Sequence, residues 1–332
     1  MAEVIRWGIL GTGNIAHQFA RGLASADDAA LVAVGSRTAA SAEKFGNEFN
    51  VPRRHASYEA LAADPEVDAI YVSTPHPYHK DNTLLCLKHG KAVLCEKPFA
   101  INRQEAVEMI TVARDQGVFL MEAMWTRFTP IMVEVRRLLA EGAIGKVRMV
   151  SADFGFRIEL DPDSRLFNLD LGGGALLDVG IYPISFASMI LGAPSRIVSA
   201  VEMGPTGSDD QNALLFRYPG GEIAILASAT RTRTPWEATI MGETGRIRVH
   251  PDWWKPQSLS ILRDGTTETT IDLPLKGNGY EYEAEEVGRC LRAGLVESPD
   301  MTHAETLSLM SIMDSIRAEW GLVYPTETPS NS

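Results

Sequence analysis

Three side chains form a set able to move a proton: Lys97, Asp178 and Tyr182. Lys97 lies in Glu96-Lys97-Pro98, directly after the apolar run Ala92-Val93-Leu94-Cys95. A run apolar on both faces reads as a strand covered on each side, and open α/β sheets hold their ligands at the carboxyl ends of such strands. A partly desolvated lysine near a positive charge has a lowered pKa, so it can give or take a proton at a substrate oxygen near neutral pH. Pro98 stiffens the exit from the strand. Asp178 and Tyr182 lie in Gly172-Gly173-Gly174-Ala175-Leu176-Leu177-Asp178-Val179-Gly180-Ile181-Tyr182-Pro183. Their spacing of four puts both on one face of a helix, although Gly180 and Pro183 would loosen it. A buried carboxylate beside a phenol and a lysine makes a proton relay; the alternative is a satisfied core aspartate with a packed tyrosine.

A second group of residues fits a dinucleotide. Gly11-Thr12-Gly13-Asn14-Ile15-Ala16 follows the first strand pattern and opens a helix, the context in which G-x-G-x-x-[GA] carries meaning. Gly11 permits a tight turn, Gly13 lets the backbone approach a pyrophosphate, Ala16 allows close helix packing, and the helix start supplies amide donors. A glycine turn serving packing alone is the alternative. The second strand ends Gly35-Ser36-Arg37-Thr38, with no carboxylate for ribose hydroxyls. Arg37 can pair with a 2′-phosphate, helped by the hydroxyls of Ser36 and Thr38, which favours NADP over NAD; otherwise Arg37 is a solvated surface residue. In Ser73-Thr74-Pro75-His76-Pro77-Tyr78-His79, the segment after another central strand, His76 and His79 should border the cofactor cleft. No paired carboxylate or cysteine accompanies these histidines, so no metal site is expected.

The elements that must position these residues follow a clear rhythm. Short β-rich runs alternate with helical stretches from Val4 to Met121, which means a parallel, doubly wound sheet, a Rossmann dinucleotide-binding domain. Beyond about Phe128 the pattern changes to a helix and then strands punctuated at Pro219-Gly220-Gly221, Glu243-Thr244-Gly245 and Asp264-Gly265. Strands joined by tight turns are antiparallel, so residues 126–332 read as an α+β domain on an open, mainly antiparallel sheet, after a cofactor domain of residues 1–125. Two late helices, residues 280–292 and 304–320, should pack back on the body, and the tail from Thr326 reads as too polar to order itself.

Composition narrows the function classes. The 332 residues are 45% hydrophobic and 22% charged, with a net charge of -12. That charge repels phosphate backbones and anionic lipid heads, which argues against nucleic acid and membrane partners. The apolar stretch of residues 175–193 contains Asp178, Gly180 and Pro183, and fits a buried helix better than a membrane span. The start lacks a secretory pattern, and Cys86, Cys95 and Cys290 have no zinc-type spacing, so the expectation is a cytoplasmic protein with reduced thiols.

Gly11-x-Gly13-x-x-Ala16, Ser73-Thr74-Pro75, Glu96-Lys97-Pro98 and Asp178-x-Gly180-x-Tyr182, in this order, resemble the Gfo/Idh/MocA oxidoreductase family over nearly the whole chain. Residues 122–128 and 172–182 look most like its dimeric dihydrodiol dehydrogenase and NADP-dependent D-xylose dehydrogenase branches. The resemblance implies that Lys97 lies at the nicotinamide and the substrate oxygen, that Tyr182 is the acid/base, and that Asp178 orients the pair. It also implies that Trp125 and Arg127 hold the nicotinamide half, and that Glu96, Pro98, Ser73, Thr74 and Pro75 belong to the cofactor motifs. A homodimer or larger homo-oligomer through the second domain's sheet is implied in the same way. Phe154, Arg165 and Asn168, just before the glycine run, are candidates for the substrate wall, together with Trp125. The activity expected is hydride transfer between NADP and a hydroxyl or carbonyl of a sugar, polyol or trans-dihydrodiol. Two rivals are a glycosidase that uses its nicotinamide transiently and a sensor that binds NADP without catalysis.

Overall fold

The computed structural model describes residues 4–327. Six strands, β1 (Ile5–Leu10), β2 (Ala29–Gly35), β3 (Arg53–His55), β4 (Ala69–Val72), β5 (Ala92–Glu96) and β6 (Leu120–Ala123), form a sheet of order β3-β2-β1-β4-β5-β6. Every pairing in it is parallel. Between the strands run α1 (Asn14–Leu23), α2 (Ala39–Phe49), α3 (Tyr58–Ala62), α4 (His79–Lys88) and α5 (Arg103–Gln116). All of β4 and β5 is buried, as runs apolar on both faces require. Phe19 of α1 stacks on Tyr71 of β4 at 3.8 Å and meets Trp7 of β1 edge-on, which pins the first helix over the middle of the sheet. The strand order reverses between β1 and β4, the switch point where doubly wound folds take ligands. Three-residue β3 and five-residue α3 escape sequence reading because neither is long enough to show a period.

After α6 (Pro130–Ala140), strand β7 (Val147–Gly155) and helix α7 (Ile181–Leu191) come seven further strands. These are β8 (Arg196–Met203), β9 (Asp209–Arg217), β10 (Ile223–Ala229), β11 (Ala238–Gly242), β12 (Gly245–Val249), β13 (Ser258–Arg263) and β14 (Thr269–Asp272). They join β7 in an eight-stranded sheet of order β14-β13-β12-β11-β7-β10-β9-β8. The three turns marked by glycine each close an antiparallel pair. The pair β7 and β10 is parallel, which makes the sheet mixed. Residues 169–191 are apolar enough to pass for a membrane span, and 83% of their most apolar window is buried inside the fold, as in a core helix.

The last helices are α8 (Glu281–Arg292) and α9 (His303–Trp320). The chain divides into two compact units: one holds the residues up to Phe128 with Lys276–Met310, the other Thr129–Leu275 with the residues from Ser311. The sequence reading placed everything after residue 125 in a second domain; the structure returns residues 276–310 to the cofactor unit. Helix α8 packs on α1 and on the turn Trp125–Phe128, and it buries Glu281, Glu283 and Glu286 along with Ala284, Val287 and Cys290. Thr326 and Glu327 also differ from expectation, because they form a short turn that Arg317 holds through Glu327 at 2.8 Å. The remainder of the expected tail lies outside the described residues.

Candidate active site

In the first unit, Gly11 adopts φ +107°, and a Cβ there would lie 2.8 Å from Ser73 Oγ, itself hydrogen-bonded to Leu10 O at 2.9 Å. Gly11 N–H donates to Gly35 O and Ser73 N–H to Leu10 O, so the loops after β1, β2 and β4 are tied together at the switch point. The first turn of α1 carries no acid and no capping side chain, which leaves its N–H groups for an anion, and a Cβ on Gly13 would project into open space. These residues fit a dinucleotide pyrophosphate. Asn14 is exposed and Ile15 half-buried at that helix start, while Ser36 is buried and shares a 3.5 Å hydroxyl contact with Thr12. Arg37 is exposed at the end of β2 and makes no hydrogen bond or ion pair with the described residues. The hydroxyl of Thr38 is engaged otherwise than expected: it accepts from Ser41 N and donates to Ser41 Oγ, as the cap of α2.

His79 also departs from expectation. Its ring is wholly buried between Pro98 O at 2.8 Å and Thr74 O at 2.7 Å, and burial pulls its pKa down. A neutral imidazole donates to one carbonyl only, and either bond keeps the ring inside the frame, away from a ligand. His79 therefore links the Ser73-Thr74-Pro75 loop to the turn after β5. His76 is buried and meets that ring edge-on. Lys97 is half-buried, its peptide bond to Pro98 is cis, and its N–H donates to Glu96 Oε2 at 3.0 Å. Glu96 Oε1 accepts from the phenol of Tyr71. Nearby Glu283 of α8 is wholly buried, neither of its oxygens has a hydrogen-bond partner among the described residues, and burial followed by the Glu96 charge pushes its carboxyl well up. Glu283 thus lies in the field of the Glu96 carboxylate.

Trp125 is buried and stacks on Tyr280 at 4.7 Å. Arg127, expected at the nicotinamide half, is buried and ion-paired to Glu305. Next to it Glu122 accepts from Phe99 N and Thr306 Oγ1, yet burial pushes its carboxyl up to about 7. A carboxyl whose folded pKa is raised lends stability below its ordinary pKa, and that stability is lost as pH rises through about 7. Between pH 5 and pH 8 the wild-type protein should therefore lose up to roughly 3 kcal/mol relative to Glu122→Gln. Urea unfolding of both at the two pH values checks this, and parallel curves would refute it.

The second unit carries Asp178 in a wide, π-type turn, Leu176–Gly180, which runs directly into α7, where Tyr182 lies in the first turn. Such turns hold an extra residue and recur at functional sites. Asp178 is buried and ion-paired with Arg165 at 2.8 Å, which joins two residues that the sequence placed apart. Asn168 Oδ1 accepts from Asp170 N and caps a short turn. Phe154 meets the Tyr182 ring edge-on at 5.3 Å and stacks on Trp254 at 3.7 Å, while Trp236 meets Trp254 edge-on at 5.1 Å. Trp254 and Trp236 were not anticipated, and no local pattern would have flagged them. Tyr71 and Glu283 were missed because one reads as an ordinary strand residue and the other as the wet face of a helix.

Residues 5–124 match an oxidoreductase family with an NAD-binding Rossmann fold, and residues 132–248 match the GFO/IDH/MocA C-terminal domain. Trans-1,2-dihydrobenzene-1,2-diol dehydrogenase of Danio rerio is 40% identical over 98% of this chain and 99% of its own. A 3-ketoreductase from Actinomadura kijaniata, solved with NADP and TDP-benzene, superposes with a TM-score of 0.84 at 28% identity, covering 95% of this chain and 98% of its own. The aldose-aldose oxidoreductase of Caulobacter crescentus, complexed with glycerol, gives 0.87 at 25% identity over 97% and 100% of the two chains. With a parallel dinucleotide sheet, an anion-ready glycine loop and full-length relatives in agreement, the chain belongs to the GFO/IDH/MocA family and is an NAD(P)-dependent oxidoreductase acting on CH–OH groups.

Proposed function

We propose that the substrate is a cyclic vicinal diol, a trans-dihydrodiol of an aromatic ring first and an aldopyranose second, oxidised at one carbinol with NADP as acceptor. The observation that carries this reading is the aromatic stack of Trp254 and Phe154 beside the Tyr182 ring. A flat ring with one apolar face can lie on such a platform while a hydroxyl on its edge reaches a phenol. The names of the relatives, a dihydrodiol dehydrogenase and an aldose oxidoreductase, support both members of that class. Bound NADP would supply the hydride acceptor. Tyr182 takes the hydroxyl proton, Asp178 orients it, and Lys97 donates to the same oxygen and favours the alkoxide. Run backwards, the same residues protonate a carbonyl under reduction.

NADP is preferred through Arg37, whose guanidinium, unpaired among the described residues, suits a 2′-phosphate. Arg37→Ala should lower kcat/KM for NADP by about 10- to 100-fold, the worth of one charged hydrogen-bonded contact, and leave NAD unchanged. Equal losses with both cofactors would remove the residue from that role. The protein acts in the cytoplasm as a homodimer. Val198, Leu215 and Ile225 support the dimer, because they stand directly opposite one another on β8, β9 and β10 and are all exposed.

The deciding assay is the near-ultraviolet absorbance of reduced nicotinamide with NADP or NAD and a panel of a trans-dihydrodiol, aldoses and linear polyols. Rapid NADP reduction with the cyclic diols and little with linear polyols is the expected result. A preference for linear polyols would overturn the substrate class. Retained cofactor without net reduction would replace the dehydrogenase by the transient-oxidation glycosidase, and tight NADP binding with no turnover by the sensor.

A further inference from the structure

We propose that Asp209 is a positioning residue for proton transfer: its carboxyl group fastens the start of the helical segment carrying Asp178 and Tyr182 to the sheet beneath. The inference rests on the reading above, in which Tyr182 exchanges the substrate proton.

A helical segment begins with N–H groups that have no partner within it, and a buried start must find acceptors elsewhere. The Leu176 N–H, at the head of the π-type turn, donates to Asp209 Oδ2 at 2.8 Å. Asp209 opens β9, thirty-three residues further along the chain. The same oxygen accepts from Asn212 Nδ2 at 2.9 Å, and Asn212 Oδ1 accepts from Ser228 Oγ at 3.0 Å. Asn212 and Ser228 are direct partners across β9 and β10, and Ser228 is in turn opposite Phe154 on β7. Phe154, Ser228 and Asn212 therefore form one row across three strands.

That row touches the helical segment along its length. Phe154 meets the ring of Tyr182 at 5.3 Å. A Cβ added to Gly180 would lie 2.8 Å from Ser228 Oγ, and one added to Gly174 would overlap Asp209 Oδ1. Two glycines of the motif are thus required by polar groups that the sheet presses against the backbone. Asp209 is wholly buried, its Oδ1 has no partner among the described residues, and burial pushes its carboxyl up to about 7. Its neighbours are Asp210, the next residue, and the Tyr324 phenol, over whose ring Arg317 lies at 5.0 Å. A costly acid at this place is accounted for by the backbone turn it holds.

Asp209→Ala is expected to lower kcat by about 10²-fold, the loss that a small misplacement of a reacting group produces, with the NADP Kd unchanged. Hydrogen exchange in residues 174–182 should quicken while the Rossmann sheet is unaffected. Asp209→Asn keeps an acceptor oxygen and should restore both readouts. An independent pair tests the same row if the alanine variant folds poorly: Gly180→Ala should lose activity, and adding Ser228→Ala, which removes the clashing oxygen, should recover it. Wild-type kcat in Asp209→Ala would overturn the proposal, as would a fall in melting temperature alone with kcat per folded molecule unchanged. Tyr182→Phe is assayed alongside. If it is fully active, the site reading fails and this role with it; if it is inactive while Asp209→Ala is not, only the positioning role fails.

Discussion

Lys97→Met loses roughly 10²- to 10⁴-fold in turnover, the usual range for removing a general acid or base, while NADP binding stays within about twofold. The asymmetry follows from where the residue sits. Lys97 leaves the carboxyl end of a wholly buried strand, and its backbone N–H is already used by Glu96, so the turn survives when the ammonium goes. Methionine keeps most of the apolar stem of the side chain and removes the charge and its donors. The start of α1, which fits the pyrophosphate, is a different segment and is untouched by the substitution. Single-turnover reduction of bound NADP, read by absorbance, isolates the chemical step from cofactor exchange. Full activity in this variant would remove Lys97 from the mechanism.

Tyr182→Phe should cost about 10²- to 10³-fold in kcat with substrate affinity within a few-fold, again on the scale of one acid/base group. The phenyl ring keeps the edge contact with Phe154, so packing is conserved and the missing hydroxyl is the only change. The comparison with Lys97→Met is informative in combination. If both act on one oxygen, the double variant will be only slightly worse than the poorer single one, because residues that act as a unit are strongly non-additive. Losses that multiply would mean that the two side chains serve separate steps.

Much of the cofactor unit was legible from residue order alone. The glycine loop, the apolar runs of β4 and β5 and the lysine after β5 are local signals, since each depends on a few consecutive residues and on the period of a buried strand. The three glycine turns that close antiparallel pairs in the second unit are local in the same sense. Some side chains read as ligand contacts are already engaged within the protein. Thr38 and His79 are occupied by their own backbone surroundings, a cap in one case and two carbonyls in the other. Arg127 is held by Glu305, a residue far away in the chain.

By itself the sequence determined the dinucleotide fold, the position of Lys97 at a strand end and the presence of an aspartate and a tyrosine in one helical segment. Only the tertiary structure decided what surrounds them. The register of β7, β9 and β10 lines up Phe154, Ser228 and Asn212, and brings Asp209 to the head of the turn bearing Asp178. The return of α8 to the first unit buries Glu283 behind Glu96. The physical reason is one of range: a strand's period or a glycine's freedom is a property of neighbouring residues. Which carboxyl is desolvated, and which N–H it serves, depends on chain segments that meet only after the sheets have formed.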